Sequence, residues 1–429
     1  MEDGAAILML CAAAALGGCE RPADAHGMPG APPAAAAVTA AAQASPVVAA
    51  VAPAPSPPDP AAAAHAAAPA AAAAAPLAAA AHPAAAAPPA PAGPRDALTL
   101  IAGGDVCLGK SLGQALIREP AYDPFAPSAA LLASADLRFV NLESQLSDQG
   151  GVTQHPKNPL VFVGPPVGAD TLARARIDLV SLANNHMWDY GERAFVETLE
   201  HLERVGVTYV GAGRGHARAY GPVIVERDGF RVAMLAVTDI WNQGLLWSHP
   251  ARERVAAADL NGVAITVRKL RQQPDIDAIV VSHHGGIEYD HRLMPFTRRL
   301  ARAAIDAGAD AFIGHHPHVI QGIEMRRGRP IFYSLGNYIM TMSGEHPGVD
   351  LGMLARLRLR RGAPPIAEVC PVRREGLEAL PLAADPRRDA TEAAFLQRLE
   401  LARVSSAPAL GPFGPDGCAP LEAAPTSAP

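Results

Sequence analysis

The sequence holds no CxxC pair: its five cysteines, Cys11, Cys19, Cys107, Cys370 and Cys418, stand far apart. That scatter argues against a zinc knot or a disulfide framework. Net positive charge is missing too. A formal charge of −6 and a pI near 6.2 carry no polybasic signature, which sets nucleic acid aside as a partner. Residues 27–94 lack charge almost entirely, with Asp59 the one charged side chain in a stretch made mostly of Ala and Pro. Such a stretch cannot bury a varied core, and its prolines interrupt helices, so residues 20–95 read as a disordered spacer.

The extreme N-terminus has no Lys or Arg and carries Glu2 and Asp3 instead. Beyond them the chain turns apolar. Residues 6–19, AILMLCAAAALGGC, have the length of a signal-peptide core and are too short to span a bilayer. The ending Leu16-Gly17-Gly18-Cys19 resembles a bacterial lipobox, whose cleavage leaves the cysteine as a lipidated N-terminus. The expectation is a signal peptide over 1–19 and an exported lipoprotein, periplasmic or at the cell surface, anchored to its membrane through Cys19.

From residue 98 the texture changes. LTLIAGG, LRFVNLE, IDLVSLANN, VTYVGAG, IDAIVVSHH and ADAFIGHH are short apolar runs, each ending in small or polar residues. Between several of them, as at 192–205 and 295–307, apolar residues recur at spacings of three and four. Strands alternating with helices predict an α/β domain, here over 96–384. Later segments turn as hairpins at Asp228-Gly229 and around Gly328, so two sheets flanked by helices are expected. One more amphipathic helix is predicted over 389–404, inside a C-terminal region, 385–429, that otherwise reads as a loose tail.

The strand candidates end in residues of one chemical kind. Asp105, Asn141 with Glu143, Asn184 to His186, His283 with His284, and His315, His316 and His318 each come after such a run. In an α/β fold the C-terminal strand ends gather at one edge, where sites are built. Carboxylate, imidazole and amide oxygen together suit Mn, Fe or Zn, as one or two ions. His316 and His318, two residues apart on an extended segment, would point to the same side.

The motifs GDVCLG (104–109), NLES (141–144), LANNHMWDYG (182–191), HGGIEY (284–289), GHHPHVIQGIE (314–324) and YSLGNY (333–338) occur in order along the chain. This sequence resembles the CapA family of poly-γ-glutamate capsule proteins, which is similar to calcineurin-like metallophosphoesterases. The resemblance implies a four-layer α/β/β/α sandwich of the metallo-dependent phosphatase type. It also implies metal ligands at Asp105, Glu143 (bridging), Asn185, His284, His316 and His318, with His186 as the acid or substrate contact. Asp189, three residues on, would orient His186. Lys110, Glu288 and Tyr289 are expected to line the substrate's path. Two departures stand out. Cys107 replaces the histidine usual two residues after the first aspartate, and reads as a small buried hydrophobe or a soft ligand. Gly285 replaces an aromatic after His284. His315 falls at a variable position and is not expected to be a ligand.

Two functions compete. One is a metal-dependent hydrolase acting in synthesis, export or anchoring of poly-γ-glutamate or a similar anionic polymer, beside its membrane synthase. The other is a scaffold or polymer-binding subunit without turnover.

Overall fold

The strand β1 (Ala97–Val106) reads ALTLIAGGDV and is buried along almost its whole length. A strand so continuously apolar belongs between two covering layers. In the computed structural model, which describes residues 95–148, 161–242, 248–342 and 346–422, it takes that position. The segment with Cys19 and the Ala/Pro-rich stretch lie outside the described residues.

After β1 come α1 (Lys110–Arg118), α2 (Ala129–Ala133), β2 (Leu137–Leu142), β3 (Gln145–Leu146), β4 (Val163–Gly164), α3 (Val167–Arg174), β5 (Leu179–Ser181), α4 (Gly191–Val205) and β6 (Thr208–Val210). The middle of the chain forms α5 (His216–Tyr220), β7 (Val223–Arg227), β8 (Phe230–Thr238), α6 (Leu260–Arg271), β9 (Ala278–His284), α7 (Pro295–Ala307), β10 (Ala311–His315), β11 (Ile323–Arg326) and β12 (Arg329–Phe332). The last part forms β13 (Asn337–Ile339), β14 (Leu351–Arg360), β15 (Ala363–Glu375), β16 (Glu378–Pro381), α8 (Arg388–Leu401), β17 (Ala409–Leu410) and β18 (Ala419–Glu422).

One sheet runs β17-β18-β15-β14-β1-β2-β5-β6, with β13 beside β1 and β16 beside β15. The other runs β11-β12-β10-β9-β8-β7. Their facing surfaces share one core, in which Leu98, Leu100, Leu137 and Phe139 of the first meet Val232, Met234, Val280 and Ile313 of the second. The far face of the first sheet packs Ile101, Val140 and Val180 on Leu112, Leu172, Phe195 and Leu199 of α1, α3 and α4. The far face of the second packs Leu235, Ile279 and Phe312 on Val263, Val267, Leu300 and Ile305 of α6 and α7. Helix, sheet, sheet, helix: the expected four layers are present.

Local chemistry explains the elements that position the site. Pro295 opens α7 at its first turn, where a missing N–H costs nothing, and the apolar spacing of Leu300, Ala304 and Ile305 buries one face. Asp228 and Gly229, at φ 48° and 75°, make the tight turn of the β7–β8 hairpin, the primed geometry that Asp-Gly favours. At Gly104 any Cβ would stand 1.9 Å from the Gly336 carbonyl oxygen, so only glycine lets β13 lie against β1.

The C-terminus departs from expectation. Cys370 and Cys418 form a disulfide, and β18 pairs with β15 through Glu368–Pro420 and Val369–Ala419. Arg373 reaches buried Asp385 with two bonds of 2.8 and 2.7 Å, fixing the entry to α8. The tail therefore holds on to the first sheet up to Glu422. Partners 48 residues apart leave no spacing motif to read, which is why the pairing is invisible in the sequence. Reducing the bond, or Cys418→Ala, should lower unfolding free energy by about 2–5 kcal/mol, read from denaturant curves with and without reductant.

Candidate metal centre

Strand ends build this site. Asp105 is the last residue but one of β1, Asn141 lies on β2 with Glu143 just beyond, and Asn184, Asn185 and His186 come after β5. From the other sheet come His284 at the end of β9 and His316 and His318 just after β10. All are buried. Glu143 lies at the middle. Among the described residues its Oε1 has no hydrogen-bond donor, yet Nε2 of His186 lies 3.6 Å away and Nε2 of His284 and His318 each 3.7 Å away. These separations are too long for hydrogen bonds, and those of His284 and His318 suit ligands around a shared ion, since ligands at about 2.0–2.2 Å from one centre lie roughly 3–4 Å from each other; His186 borders the cluster and belongs to neither ligand group. Two groups with mutually close ligand atoms, Glu143/His316/His318 and Asp105/Glu143/His284, share Glu143. The residues fit a divalent cation.

Charge within the cluster points the same way. Burial, with the Asp105 charge behind it, pushes Glu143 well above the usual carboxylate range. Burial pushes Asp105 upward too, but the imidazoles of His315 and His318, each 3.4 Å away, outweigh it and hold Asp105 well below its ordinary value. His284 is held well below its usual value by burial and then by His316. His316 is pushed down to about 3 by burial and then by His318. Neutral imidazoles keep a lone pair for a cation, and a cation would relieve the enforced proton on Glu143.

Around this core the side chains are held by each other. Asn141 Nδ2 donates to Asp105 Oδ1 at 2.8 Å and lies 3.2 Å from His284 Nδ1. Asn185 Oδ1 lies 2.7 Å from His284 Nε2, while its Nδ2 donates to Asn242 Oδ1 at 2.8 Å. That second bond turns the only ligand atom of Asn185 inward. His186 Nδ1 meets Asp189 Oδ2 in a short contact, and the same carboxylate oxygen accepts from the Phe162 N–H at 2.9 Å. Phe162 in turn stacks on His186 with centroids 3.8 Å apart, and Lys110 Nζ sits 3.7 Å from the Phe162 ring centre. Burial pulls the Lys110 ammonium down from its usual value. On the other flank Tyr289 stacks on His346 at 3.7 Å and lies 6.0 Å from His318. Its hydroxyl, bonded to exposed Glu288, is pushed up to about 12 by burial and then by that charge. Asp105, Glu143, Asn185, His186, His284, His316 and His318 thus lie together, with Asp189 and Lys110 beside His186 and with Tyr289 and exposed Glu288 on the outer flank.

Several details differ from the expectations. His316 and His318 do not sit on an extended segment: their φ angles are 96° and 58°. Both still reach Glu143, by a left-handed path rather than by strand alternation. Of seven described non-glycine residues with positive φ, four line this site (Lys110, Tyr289, His316, His318), so backbone strain is concentrated where ligands must be aimed. His315 is buried behind Asp105, with Nδ1 3.4 Å from Oδ1. Cys107 packs with Phe162 and Met340 as a small apolar group, and burial raises its thiol pKa. An aromatic at 285 has no room, because any Cβ there would meet Asp239 Oδ1 at 1.9 Å and His283 Cε1 at 2.4 Å. Asp239 and His283, paired at 2.9 Å, occupy that space.

Sequence reasoning assigns no role to Asn242, Asp239 or Asn337. Asn337 was within reach: it lies in YSLGNY, and each ligand histidine needs a partner for its second nitrogen. Asn242 and Asp239 come after the run AMLAVT, a strand end that carries no histidine to draw notice.

Residues 99–342 match the family described as bacterial capsule synthesis protein PGA_cap. The chain is similar to the capsule biosynthesis protein CapA of Bacillus anthracis, 29% identical over 283 residues, 65% of this chain and 67% of that one. It is also similar to the PGA biosynthesis protein CapA of Bacillus subtilis, 29% identical over 245 residues, 57% of this chain and 63% of that one. The matched part therefore spans about two thirds of these relatives' length. Among solved structures, a putative 5'-nucleotidase from Staphylococcus aureus aligns with TM-score 0.41 and 14% identity, over 70% of this chain and 58% of that one.

Glu143→Gln should strip the protein of divalent metal, measured by elemental analysis after equilibration with Mn²⁺. In the unchanged protein cation affinity should rise with pH, because binding must displace the proton that burial holds on Glu143. Affinity that falls with pH in calorimetric titrations would contradict this arrangement.

Proposed function

This chain belongs to the bacterial capsule synthesis protein family, and on that premise we propose that it is a metal-dependent hydrolase. It acts in synthesis, export or anchoring of poly-γ-glutamate or a similar anionic surface polymer. The observation that carries the reading is Glu143 Oε1, buried without a donor among three imidazole nitrogens, next to the paired His186 and Asp189. Asp105, Glu143, Asn185, His284, His316 and His318 would hold the cation. When bound, it supplies Lewis acidity and a nucleophile at neutral pH.

The protein's own groups do the rest. Hydrolysis adds hydroxyl to one side of the broken bond and a proton to the leaving atom. His186 supplies that proton from Nε2, which faces the cluster, while Asp189 holds Nδ1 and steadies the charged ring. Lys110, half-buried over Phe162, takes a carboxylate of the polymer, and Glu288 and Tyr289 border its path. The Cys370–Cys418 pair supports an oxidising compartment outside the cytoplasm. No described helix is long and apolar enough to cross a membrane. Attachment near a membrane synthase is assigned to lipidated Cys19.

One observation favours the scaffold reading. Cys107, where a ligand histidine would stand, is sealed among Phe162 and Met340 and offers the cluster no donor. The two readings part in cells. His186→Ala should keep its metal and lower turnover about 10²–10⁴-fold, the usual share of acid–base catalysis, whereas His316→Ala should lose metal. Polymer yield is the common readout, with expression and metal content measured in parallel. Normal yield from the folded double variant would leave the scaffold reading standing alone. Separately, Cys19→Ala should move the protein out of the membrane fraction; unchanged fractionation would remove the lipid anchor from the account.

A further inference from the structure

His318 faces the cluster through Nε2, 3.7 Å from Glu143 Oε1. An imidazole offers a lone pair at Nε2 only while Nδ1 keeps the proton. Two acceptors surround Nδ1: Asn337 Oδ1 at 3.0 Å and Asp105 Oδ2 at 3.4 Å. Of these, Asp105 belongs to the ligand set, and its oxygens weaken as acceptors once a cation draws on them. The Asn337 oxygen has no such second duty.

Nor can the Asn337 amide turn over. Its Nδ2 donates to the Val349 carbonyl at 2.9 Å, so a flip would set oxygen against oxygen and N–H against N–H. Its backbone is fixed as well. Asn337 lies opposite Asp105 in the parallel pairing of β1 and β13, and Gly352 approaches so closely that a Cβ there would stand 1.9 Å from the Asn337 carbonyl oxygen. The side chain is buried, which gives the bond to His318 no water to compete with.

We propose that Asn337 is a positioning residue that holds His318 in its Nδ1-protonated tautomer and thereby sets the divalent-cation affinity of the Glu143/His316/His318 group. It acts through His318 and does not touch the ion. The inference rests on the metal reading above, and its test separates the two.

Co²⁺ binding to the purified folded chain is measured by calorimetry, and the visible Co²⁺ spectrum reports the ligand set. Asn337→Leu removes the acceptor and should weaken affinity about 10–100-fold, the usual cost of losing a partner of a ligand histidine. Asn337→Asp keeps an oxygen on Nδ1, although its second oxygen then faces the Val349 carbonyl, and should restore part of that loss, with melting temperatures checking that both variants fold. In a His318→Ala background, Asn337→Leu should cost little more, and the Co²⁺ spectrum should no longer respond to position 337. Wild-type affinity in Asn337→Leu overturns the proposal. So does an Asn337→Asp variant as weak as Asn337→Leu, or a loss that persists undiminished without His318. Absence of any Co²⁺ binding by the unchanged protein overturns the metal reading itself, and this inference with it.

Discussion

A carboxylate oxygen sealed from water, with no donor among the described residues to meet it, is the constraint around which this molecule is arranged. Burying a charge without a partner costs far more than one hydrogen bond returns, so the group must either keep a proton or face a cation. Glu143 is in that position, and its neighbours are set for the second option. His284 and His316 are kept neutral by burial, Asp105 is kept ionised by His315 and His318, and amides of Asn141, Asn185 and Asn337 fill the remaining directions. Each of these groups would be a liability alone. Together they make a cavity whose chemistry is incomplete without positive charge.

The four layers exist, in this light, to bring two sheet edges to one point. Neither sheet holds a full set of donors. The first supplies Asp105, Glu143, Asn185 and His186, the second His284, His316 and His318. Only when the faces of the two sheets share a core do the edges meet, so the apolar contact of Leu100 and Phe139 with Met234 and Val280 is a condition of the site as well as of stability. Strain is placed accordingly: the residues held in left-handed conformations at His316 and His318 are the ones that must leave the strand direction to face Glu143.

Much of this is legible in the sequence. Apolar runs ending in ligand-type residues locate the strand ends, the spacing within 295–307 matches α7 without a shift, and Asp228-Gly229 marks a turn by its own chemistry. Those signals are local, written within a few residues of where they act. What stays hidden is non-local. Cys370 and Cys418 carry no mark of each other, and the Asp239–His283 pair that fills the space beside Gly285 joins residues from neighbouring strand ends. The outer amide Asn242 is hidden for another reason: a lone asparagine in a loop has many ordinary uses, and only the geometry selects one, whereas Asn337 sits inside a motif that already marks the site. The histidine pair is found from sequence for a wrong reason, since strand alternation implies an extended backbone and a left-handed one is present.

The place of β13 and β14 beside β1 has a consequence for assembly. β1 is the first described strand to be made, yet two of its three partners come from residues 337–360, more than two hundred positions later. Loops of that length close slowly, and a topology so rich in distant pairings delays the folding nucleus. A nascent chain that has reached residue 336 has all the carboxylate and histidine donors but not the strand that seats Asp105 opposite Asn337. The centre is therefore completed late: until residues 337–360 have been delivered, β1 lacks two of its neighbours and Asp105 has no fixed seat.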